Sequence, residues 1–329
     1  AFPVSVLDRD GRFITGLQQR DFQIFENGIQ QKIEYFESVE QPFTVVLLLD
    51  VSNSTQFKIG EIQDAAITFV NQLRQNDRVM VISFDEKVRV LAQPTNNRRV
   101  LQDAIRQIDF GGGTSLYEAV SYTIAQELRR IEGRKAIVLF TDGVDTTSRR
   151  ATYQSTLKDA EEIDAMIYPI RFDTTGFANG GNSGGNYPSR RSGGGGVWGQ
   201  VLGAILTGGN VQIGNGGGGN TGDYQRGLRY LEELANVSGG RKFGAKTTYN
   251  LDAAFSGIAE ELRRQYSIGY YPEAEGEKGQ RKQIKVRVDR TNAVVRAKNS
   301  YIVGSNNTSN SNARQQVRPT PKLNNRLPF

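Results

Sequence analysis

Apolar and polar positions show two different periodicities along the chain, and the longest regular stretch runs from residue 41 to about 175. Short apolar runs bounded by turn residues predict buried strands, and apolar positions three or four residues apart predict helices between them. Strands that alternate with helices indicate an α/β fold with a mostly parallel sheet and right-handed crossovers. The predicted strands cover 43–49, 78–84, 87–91, 136–140 and 166–170, and the predicted helices lie near 62–73, 100–108, 116–131, 153–163, 224–234 and 251–262.

Both ends of the chain show a period of two instead. Residues 1–40 and 264–304 contain stretches in which apolar and polar residues alternate, separated by turns rich in Asp, Asn and Gly. This pattern is typical of strands that bury one face. One such strand is predicted over 31–36. Neither end has enough strands to be stable alone, because a sheet needs three or more strands and a packed face.

Two segments show neither periodicity of apolar positions. Residues 176–222 are dominated by Gly, Asn and Ser, and residues 305–329 by polar residues and Pro. Such compositions cannot bury enough apolar surface to form a core of their own. An apolar island around Trp198 interrupts the first segment, and we interpret it as an anchor that packs on the domain or on a partner. The expected organisation is a domain over 41–263 that carries the glycine-rich insertion, β-rich ends on either side of it, and a polar tail.

Polar side chains that carry oxygen atoms follow two of the predicted buried strands. Asp50, Ser52 and Ser54 come directly after the first strand. Asp142 comes two residues after the strand at 136–140, and Thr114 follows three glycines at the start of a predicted helix. In an open α/β sheet, ligands bind outside the carboxyl ends of the strands. A small hard cation such as Mg²⁺ takes oxygen ligands and needs few carboxylates. The alternative interpretation is that these residues only cap turns and helices.

These five residues, taken together and in this order, resemble the metal-ion-dependent adhesion site of von Willebrand factor A-type domains. The resemblance covers residues 41 to about 263. It implies an α/β fold with a doubly wound, mostly parallel sheet flanked by helices. It also implies that the two ends, 1–40 and 264–304, pair into a second and smaller β module.

The resemblance further implies how the site would work. Ser52, Ser54 and Thr114 would hold Mg²⁺, or Mn²⁺ or Ca²⁺ in its place, directly or through water. Asp50 and Asp142 would supply negative charge. An Asp or Glu of a protein partner would then complete the coordination of the ion.

The flanks resemble a bacterial group of von Willebrand factor A-related proteins that is common in Acidobacteria. The segments that carry this likeness are Asp10–Gly11, Gly16–Leu17, Asp21–Phe22, Phe25–Gly28 with Gln31, and Tyr266–Pro272. Members of that group are generally exported, so the resemblance implies a bacterial protein that is secreted, at the cell surface or in the periplasm. The glycine-rich insertion and the polar tail depart from the pattern of the group.

Composition removes several classes of function. The chain has no Cys and no His, which excludes disulfides, thiol nucleophiles, Cys/His zinc sites and Ser-His-Asp catalysis. It has no Gly-x-x-x-x-Gly-Lys-Ser/Thr phosphate loop, and no apolar run approaches the roughly 18 residues of a membrane helix. The net charge of +6 is spread over scattered Arg pairs, which are typical of solvated surfaces. We therefore expect neither an enzyme, nor a nucleic-acid-binding protein, nor a transmembrane segment.

The leading hypothesis is an extracellular, metal-dependent protein-binding or adhesion module in which the metal anchors a carboxylate of the partner. The alternative is a structural subunit of an extracellular homopolymer or filament, assembled through β edges, the tail and the glycine-rich insertion. The size of the protein in solution distinguishes the two, because a discrete monomer favours an adhesion module and a polymer favours a structural subunit.

Overall fold

The computed structural model describes residues 1–38, 41–52, 59–109, 111–172, 221–245, 248–273 and 276–304. Its strands are β1 Phe2–Leu7, β2 Phe22–Glu26, β3 Ile29–Gln31, β4 Ile33–Glu37, β5 Phe43–Asp50, β6 Arg78–Phe84, β7 Val88–Thr95, β8 Arg134–Thr141, β9 Met166–Phe172, β10 Phe243–Ala245, β11 Tyr266–Tyr270, β12 Arg281–Val288, β13 Val294–Ala297 and β14 Ser300–Ile302. Its α-helices are α1 Ile59–Gln72, α2 Arg98–Arg106, α3 Leu116–Tyr122, α4 Tyr153–Glu162, α5 Thr221–Ser238 and α6 Thr248–Arg263.

The central sheet has the strand order β10-β9-β8-β5-β6-β7, and its strands are parallel except for β7, which runs antiparallel beside β6. Successive residues of β5 point to opposite faces. Val45, Leu47 and Leu49 pack in one core with α1, α2 and α6, whereas Val46 and Leu48 pack in the other with α3, α4 and α5. Because both faces are covered, the strand is apolar throughout. The predicted α/β fold with a doubly wound, mostly parallel sheet is confirmed.

The chain leaves the adjacent strands β5 and β8 in opposite directions. After β5 it continues to α1, which packs on one face, and after β8 it continues to α4, which packs on the other. Loops that diverge in this way open a crevice at the carboxyl ends of two parallel strands. The pairing of Leu49 with Phe140 places the next residues, Asp50 and Thr141, side by side at this crevice.

The helical run that begins with α3 departs from regular α-helix. A π-helical turn at Thr123–Glu127 and a 3-10 turn at Leu128–Arg130 follow α3. The apolar positions that predicted a helix over 116–131 all lie in the core: Leu116, Val120, Ile124, Leu128 and Ile131. The apolar face is therefore confirmed, while the uniform helical geometry was wrong.

Strands from the two ends of the chain form two further sheets, with the orders β13-β1-β11-β4 and β14-β12-β2-β3. The stretch 31–36, predicted to be one strand, is divided between them at Lys32. Asn27 and Gly28 have positive φ angles of 48° and 85°, as a tight hairpin turn requires, and this turn folds β3 back onto β2. β4 instead pairs with β11 in the other sheet. The division of the chain into separate domains stays a prediction.

Some sequence-based expectations fall on residues that the structure does not describe. Of the predicted insertion at 176–222, only the last two residues are described, and they begin α5. The predicted tail at 305–329 lies wholly outside the described residues, so the proposed role of Trp198 and of the tail stays a prediction. None of the helices in the described ranges is long and apolar enough to cross a bilayer.

Buried carboxylates of two helices hold the end sheets against the central sheet. Glu161 of α4 accepts hydrogen bonds from both Nε and Nη2 of Arg281, at 2.8 and 2.9 Å, and a third from Ser300. Glu261 of α6 accepts a hydrogen bond from the Ser5 hydroxyl at 3.0 Å and lies 3.0 Å from the guanidinium of Arg241. Because these carboxylates are buried, each nearby cation or donor offsets part of the cost of keeping a charge in the interior.

Lys298 lies at the same boundary and carries a displaced pKa. Its Nζ donates to the Ile163 carbonyl oxygen at 3.1 Å, and the side chain is 8% exposed. Burial lowers the pKa of Lys298 from 10.5 to about 8, although the carboxylates of Asp164, Glu161 and Glu162 act in the opposite direction. Between these two pH values the unfolded chain keeps a proton that the folded chain has released.

This difference predicts that Lys298 adds stability as the pH rises from 8 to 10, seen as a widening gap between wild type and Lys298→Met. The comparison is needed because tyrosines with raised pKa values act in the opposite direction in both proteins. The gain should be roughly 1 kcal/mol for each pH unit and should disappear in Lys298→Met, which cannot titrate. Urea unfolding of both proteins at pH 8, 9 and 10 measures it. Parallel stability curves for the two proteins would contradict the assignment.

Candidate metal centre

Asp50 is the last residue of β5, and its carboxylate is fully buried. Oδ1 accepts a hydrogen bond from the backbone N–H of Ser52 at 3.0 Å, and Oδ2 accepts one from the Thr141 hydroxyl at 2.7 Å. The first bond tightens the turn after the strand, as Asp commonly does at such positions. The second bond joins β5 to β8, so the carboxylate is oriented from both sides of the crevice.

Asp142 follows β8 directly and is 2% exposed. Its Oδ1 accepts a hydrogen bond from the backbone N–H of Val144 at 3.0 Å. The hydroxyl of Thr141, which donates to Asp50, also accepts from the backbone N–H of Gly143 at 3.0 Å. Thr141 thus connects the two loops that carry the acidic residues.

The loop that carries Thr114 is bonded to its neighbours on both sides. Gly111 pairs with Ser52 as an isolated bridge, and its N–H donates to the Val51 carbonyl oxygen at 3.2 Å. The N–H of Thr114 donates to the Thr146 hydroxyl at 2.8 Å, and its carbonyl oxygen accepts from the backbone N–H of Thr146 at 2.8 Å. These bonds hold Thr114, which is 5% exposed, at the same edge of the sheet as Ser52 and Asp142.

Burial of charge, together with electrostatic repulsion, is the main property of this site. The pKa of Asp50 is raised to about 7, mainly by burial and secondly by the negative charge of the Asp142 carboxylate. Hydrogen bonds from Ser52 and Thr141 act in the opposite direction. Within the described ranges, no three His, Cys, Asp or Glu side chains converge as a metal-binding group. The donors present are two carboxylates with hydroxyl oxygens beside them, which suits a hard divalent cation that needs few carboxylates.

The structure brings four of the five predicted site residues to one edge of the central sheet. Asp50, Ser52, Thr114 and Asp142 all lie at the crevice between β5 and β8, whereas Ser54 lies outside the described residues. Their assignment as metal ligands stays a prediction.

Sequence reasoning missed the residues that support these four. Thr141 was visible only as the residue before Asp142, and its bond to Asp50 spans 91 positions. Asp85 also follows a buried strand and is 2% exposed, but its Oδ2 lies 2.8 Å from Nη1 of Arg89. Asp85 is therefore neutralised within the protein, which distinguishes it from Asp50.

Comparison with known proteins identifies the domain. Residues 45–144 match the family described as the von Willebrand factor type A domain. This chain carries a von Willebrand factor type A domain. The matched range contains Asp50, Ser52, Thr114 and Asp142, and thus both strands that form the crevice. Membership of the A domain in the Acidobacteria-type group stays a prediction.

The chain also matches part of a curated protein. The chain is 29% identical over 106 residues to the uncharacterized protein sll0103 of Synechocystis sp. (strain ATCC 27184 / PCC 6803 / Kazusa). The match covers 31% of this chain and 25% of that protein, so the chain spans about a quarter of the curated relative.

Solved structures show similar folds. An aerotolerance-related membrane protein from Bacteroides fragilis NCTC 9343 has a TM-score of 0.44 at 15% identity, covering 68% of this chain and 98% of that one. The von Willebrand factor type A protein from Catenulispora acidiphila has a TM-score of 0.47 at 10% identity, covering 91% and 73%. Proximal thread matrix protein 1 from the mussel byssus, with a zinc-occupied MIDAS motif, has a TM-score of 0.46 at 10% identity, covering 72% and 49%. Identities this low do not extend to site residues or to function.

The bridging role of Thr141 gives a testable prediction. Thr141→Val leaves Oδ2 of Asp50 and the N–H of Gly143 without their partner, which should lower the free energy of unfolding by about 1–3 kcal/mol. Thr123→Val is the matched control, because the Thr123 hydroxyl is buried and has no hydrogen-bond partner among the residues that the structure describes. That control should be neutral or stabilising. Urea unfolding measures both changes, and equal losses in the two variants would contradict the bridging role.

Proposed function

We propose that the A domain is a protein-binding module that works through a divalent cation held at the crevice between β5 and β8. The observation that carries this proposal is the pair of buried carboxylates, Asp50 and Asp142, at the ends of adjacent strands. Burial and the charge of Asp142 together raise the pKa of Asp50. A divalent cation would offset the cost of burying these charges because it attracts both of them.

The residues at the crevice have different roles in this proposal. Ser52 and Thr114 offer hydroxyl oxygens to the cation, and Ser54 is a further candidate from the sequence. Asp50 and Asp142 supply negative charge, and Thr141 keeps the Asp50 carboxylate in place through its hydroxyl. Mg²⁺, Mn²⁺ and Ca²⁺ all take oxygen ligands, and Mg²⁺ usually retains several waters. When bound, the cation supplies a directional attraction for a carboxylate of the partner.

The loop that follows Asp142 carries positive charge that suits an acidic partner. The loop after Asp142 carries Arg149 and Arg150, which are both exposed. Their backbone N–H groups donate to Oε1 of Glu118 at 2.8 and 3.0 Å, which fixes this part of the loop beside α3. Two exposed cationic side chains on the loop that follows Asp142 would attract a protein surface that contains Asp or Glu.

The proposal includes three further elements that come from the sequence. The domain binds rather than catalyses, its partner is a protein rather than a nucleic acid, and it acts outside the cytoplasm. Self-assembly into a filament is the alternative function, and sedimentation of the purified protein over a range of concentrations separates a discrete species from a polymer.

Removal of one acidic charge tests the metal site. Wild-type protein should melt at a higher temperature in Mg²⁺ or Mn²⁺ than in EDTA, by the equivalent of about 3 kcal/mol at a hundredfold excess over Kd. Asp50→Asn should lose this response. In EDTA the same variant escapes the repulsion by Asp142, but its amide nitrogen cannot accept the hydrogen bond that Ser52 or Thr141 donates. The two effects act in opposite directions, so its stability in EDTA should stay close to that of wild type. Differential scanning calorimetry in both buffers measures these changes.

Asp77→Asn is the matched control, because Asp77 is also buried but lies at the opposite edge of the sheet. Its carboxylate accepts hydrogen bonds from the N–H groups of Phe43 and Arg74, at 3.3 and 2.9 Å. This variant should lose stability in both buffers and keep the response to Mg²⁺. A wild-type protein that melts identically in Mg²⁺, Mn²⁺, Ca²⁺ and EDTA would rule out the proposed site.

A further inference from the structure

Helix α5 approaches the loop of Asp142 most closely through the backbone of Gly227. A Cβ placed on Gly227 would lie 2.5 Å from the carbonyl oxygen and 2.7 Å from the carbonyl carbon of Gly143. In the reverse direction, a Cβ on Gly143 would lie 3.1 Å from the carbonyl group of Gly227. Real Cβ atoms do not approach backbone atoms as closely as 2.5 Å, so a side chain at position 227 would force either the helix or the loop to move.

The helix is firmly seated. Tyr230, Leu231 and Leu234 of α5 are all fully buried in the core beneath it. The Tyr230 hydroxyl donates to Thr156 at 3.0 Å, and its ring lies 5.0 Å from that of Tyr153. A shift of α5 would disturb all of these contacts at once, and close-packed interiors resist such shifts.

Residues 142–144 of the loop, which lie at the contact, are held by fewer interactions, whereas residues 145–150 are bonded to Thr114, Tyr117 and Glu118. Gly143 has a φ of +90°, a conformation that only glycine adopts readily. Its N–H donates to the Thr141 hydroxyl, and the next N–H, that of Val144, donates to Asp142 itself. The loop is therefore the part that yields when the contact is crowded, and Asp142 is the residue next to the point of contact.

We propose that Gly227 is a positioning residue for the cation site. Because it has no side chain, α5 can support the peptide of Gly143 directly, and this contact sets the position from which the Asp142 carboxylate faces Asp50. The inference rests on the proposed function, since it assigns Gly227 a role in the binding of the same cation. It predicts that a methyl group added at position 227 weakens the binding of the cation, although α5 itself supplies no ligand to the cation.

Titration calorimetry with Mn²⁺ on full-length protein tests this proposal. Gly227→Ala should bind Mn²⁺ at least about tenfold more weakly than wild type, the loss that typically follows when a residue supporting a metal ligand is changed. Gly257→Ala is the matched control in α6, because its added Cβ would meet its nearest atoms, Nη2 of Arg241 and Cε1 of Phe243, at 3.6 and 3.8 Å. This control should bind Mn²⁺ like wild type and gain stability from the replacement of a helix glycine.

A matched pair of core variants separates positioning from general loss of stability and serves if Gly227→Ala does not fold. Leu231 reaches the same loop, since a Cβ on Gly143 would lie 3.1 Å from its Cδ1. Leu234 is equally buried in α5 but is not among the atoms that crowd Gly143. Leu231→Ala should therefore weaken Mn²⁺ binding, whereas Leu234→Ala should lower the melting temperature and leave the affinity unchanged.

The luminescence decay of bound Tb³⁺ in H₂O and D₂O adds a readout that stability does not affect. If Asp142 moves away from the ion in Gly227→Ala, the number of coordinated waters should rise by about one. Unchanged Mn²⁺ affinity in Gly227→Ala, or equal losses in Leu231→Ala and Leu234→Ala, would overturn the role of Gly227 while the proposed function stands. A wild-type protein that binds no Mn²⁺ would overturn both.

Discussion

Two carboxylates buried beside each other are the constraint on which the site depends. Asp50 and Asp142 occupy the ends of adjacent parallel strands and are 0% and 2% exposed. Buried charges are costly unless other groups compensate them. Hydrogen bonds from Ser52 and Thr141 compensate Asp50 only in part, so burial and the charge of Asp142 still raise the pKa of Asp50 to about 7. A bound cation would compensate both carboxylates without rearrangement of the strands that carry them.

The rest of the architecture keeps the two acidic loops in place. The chain leaves β5 and β8 toward opposite faces of the sheet, which opens the crevice, and the Thr141 hydroxyl spans it. The glycine-containing loop before α3 is bonded to Thr146 on one side and to Val51 on the other. Helix α5 supports the Asp142 loop from beneath through Gly227. Each support comes from a different element, so the geometry of the site depends on the packing of the whole domain.

Local patterns account for the parts of this structure that the sequence predicted. The apolar runs before Asp50 and Asp142 indicated buried strands, and the carboxyl ends of parallel strands meet at one edge, so the placement of both residues followed. The bond from Thr141 to Asp50 and the contact of Gly143 with Gly227 join residues far apart in the chain. No periodicity encodes such contacts. The division of the predicted strand at 31–36 likewise depends on which partner strand each half finds.

Diffraction from crystals grown with Mn²⁺, recorded at a wavelength where manganese scatters anomalously, tests the central claim most directly. The account predicts one strong anomalous peak at the crevice between β5 and β8, enclosed by the side-chain oxygens of Asp50, Ser52, Thr114 and Asp142. Manganese bound only elsewhere on the protein, with the two buried carboxylates unchanged and no peak between them, would contradict it.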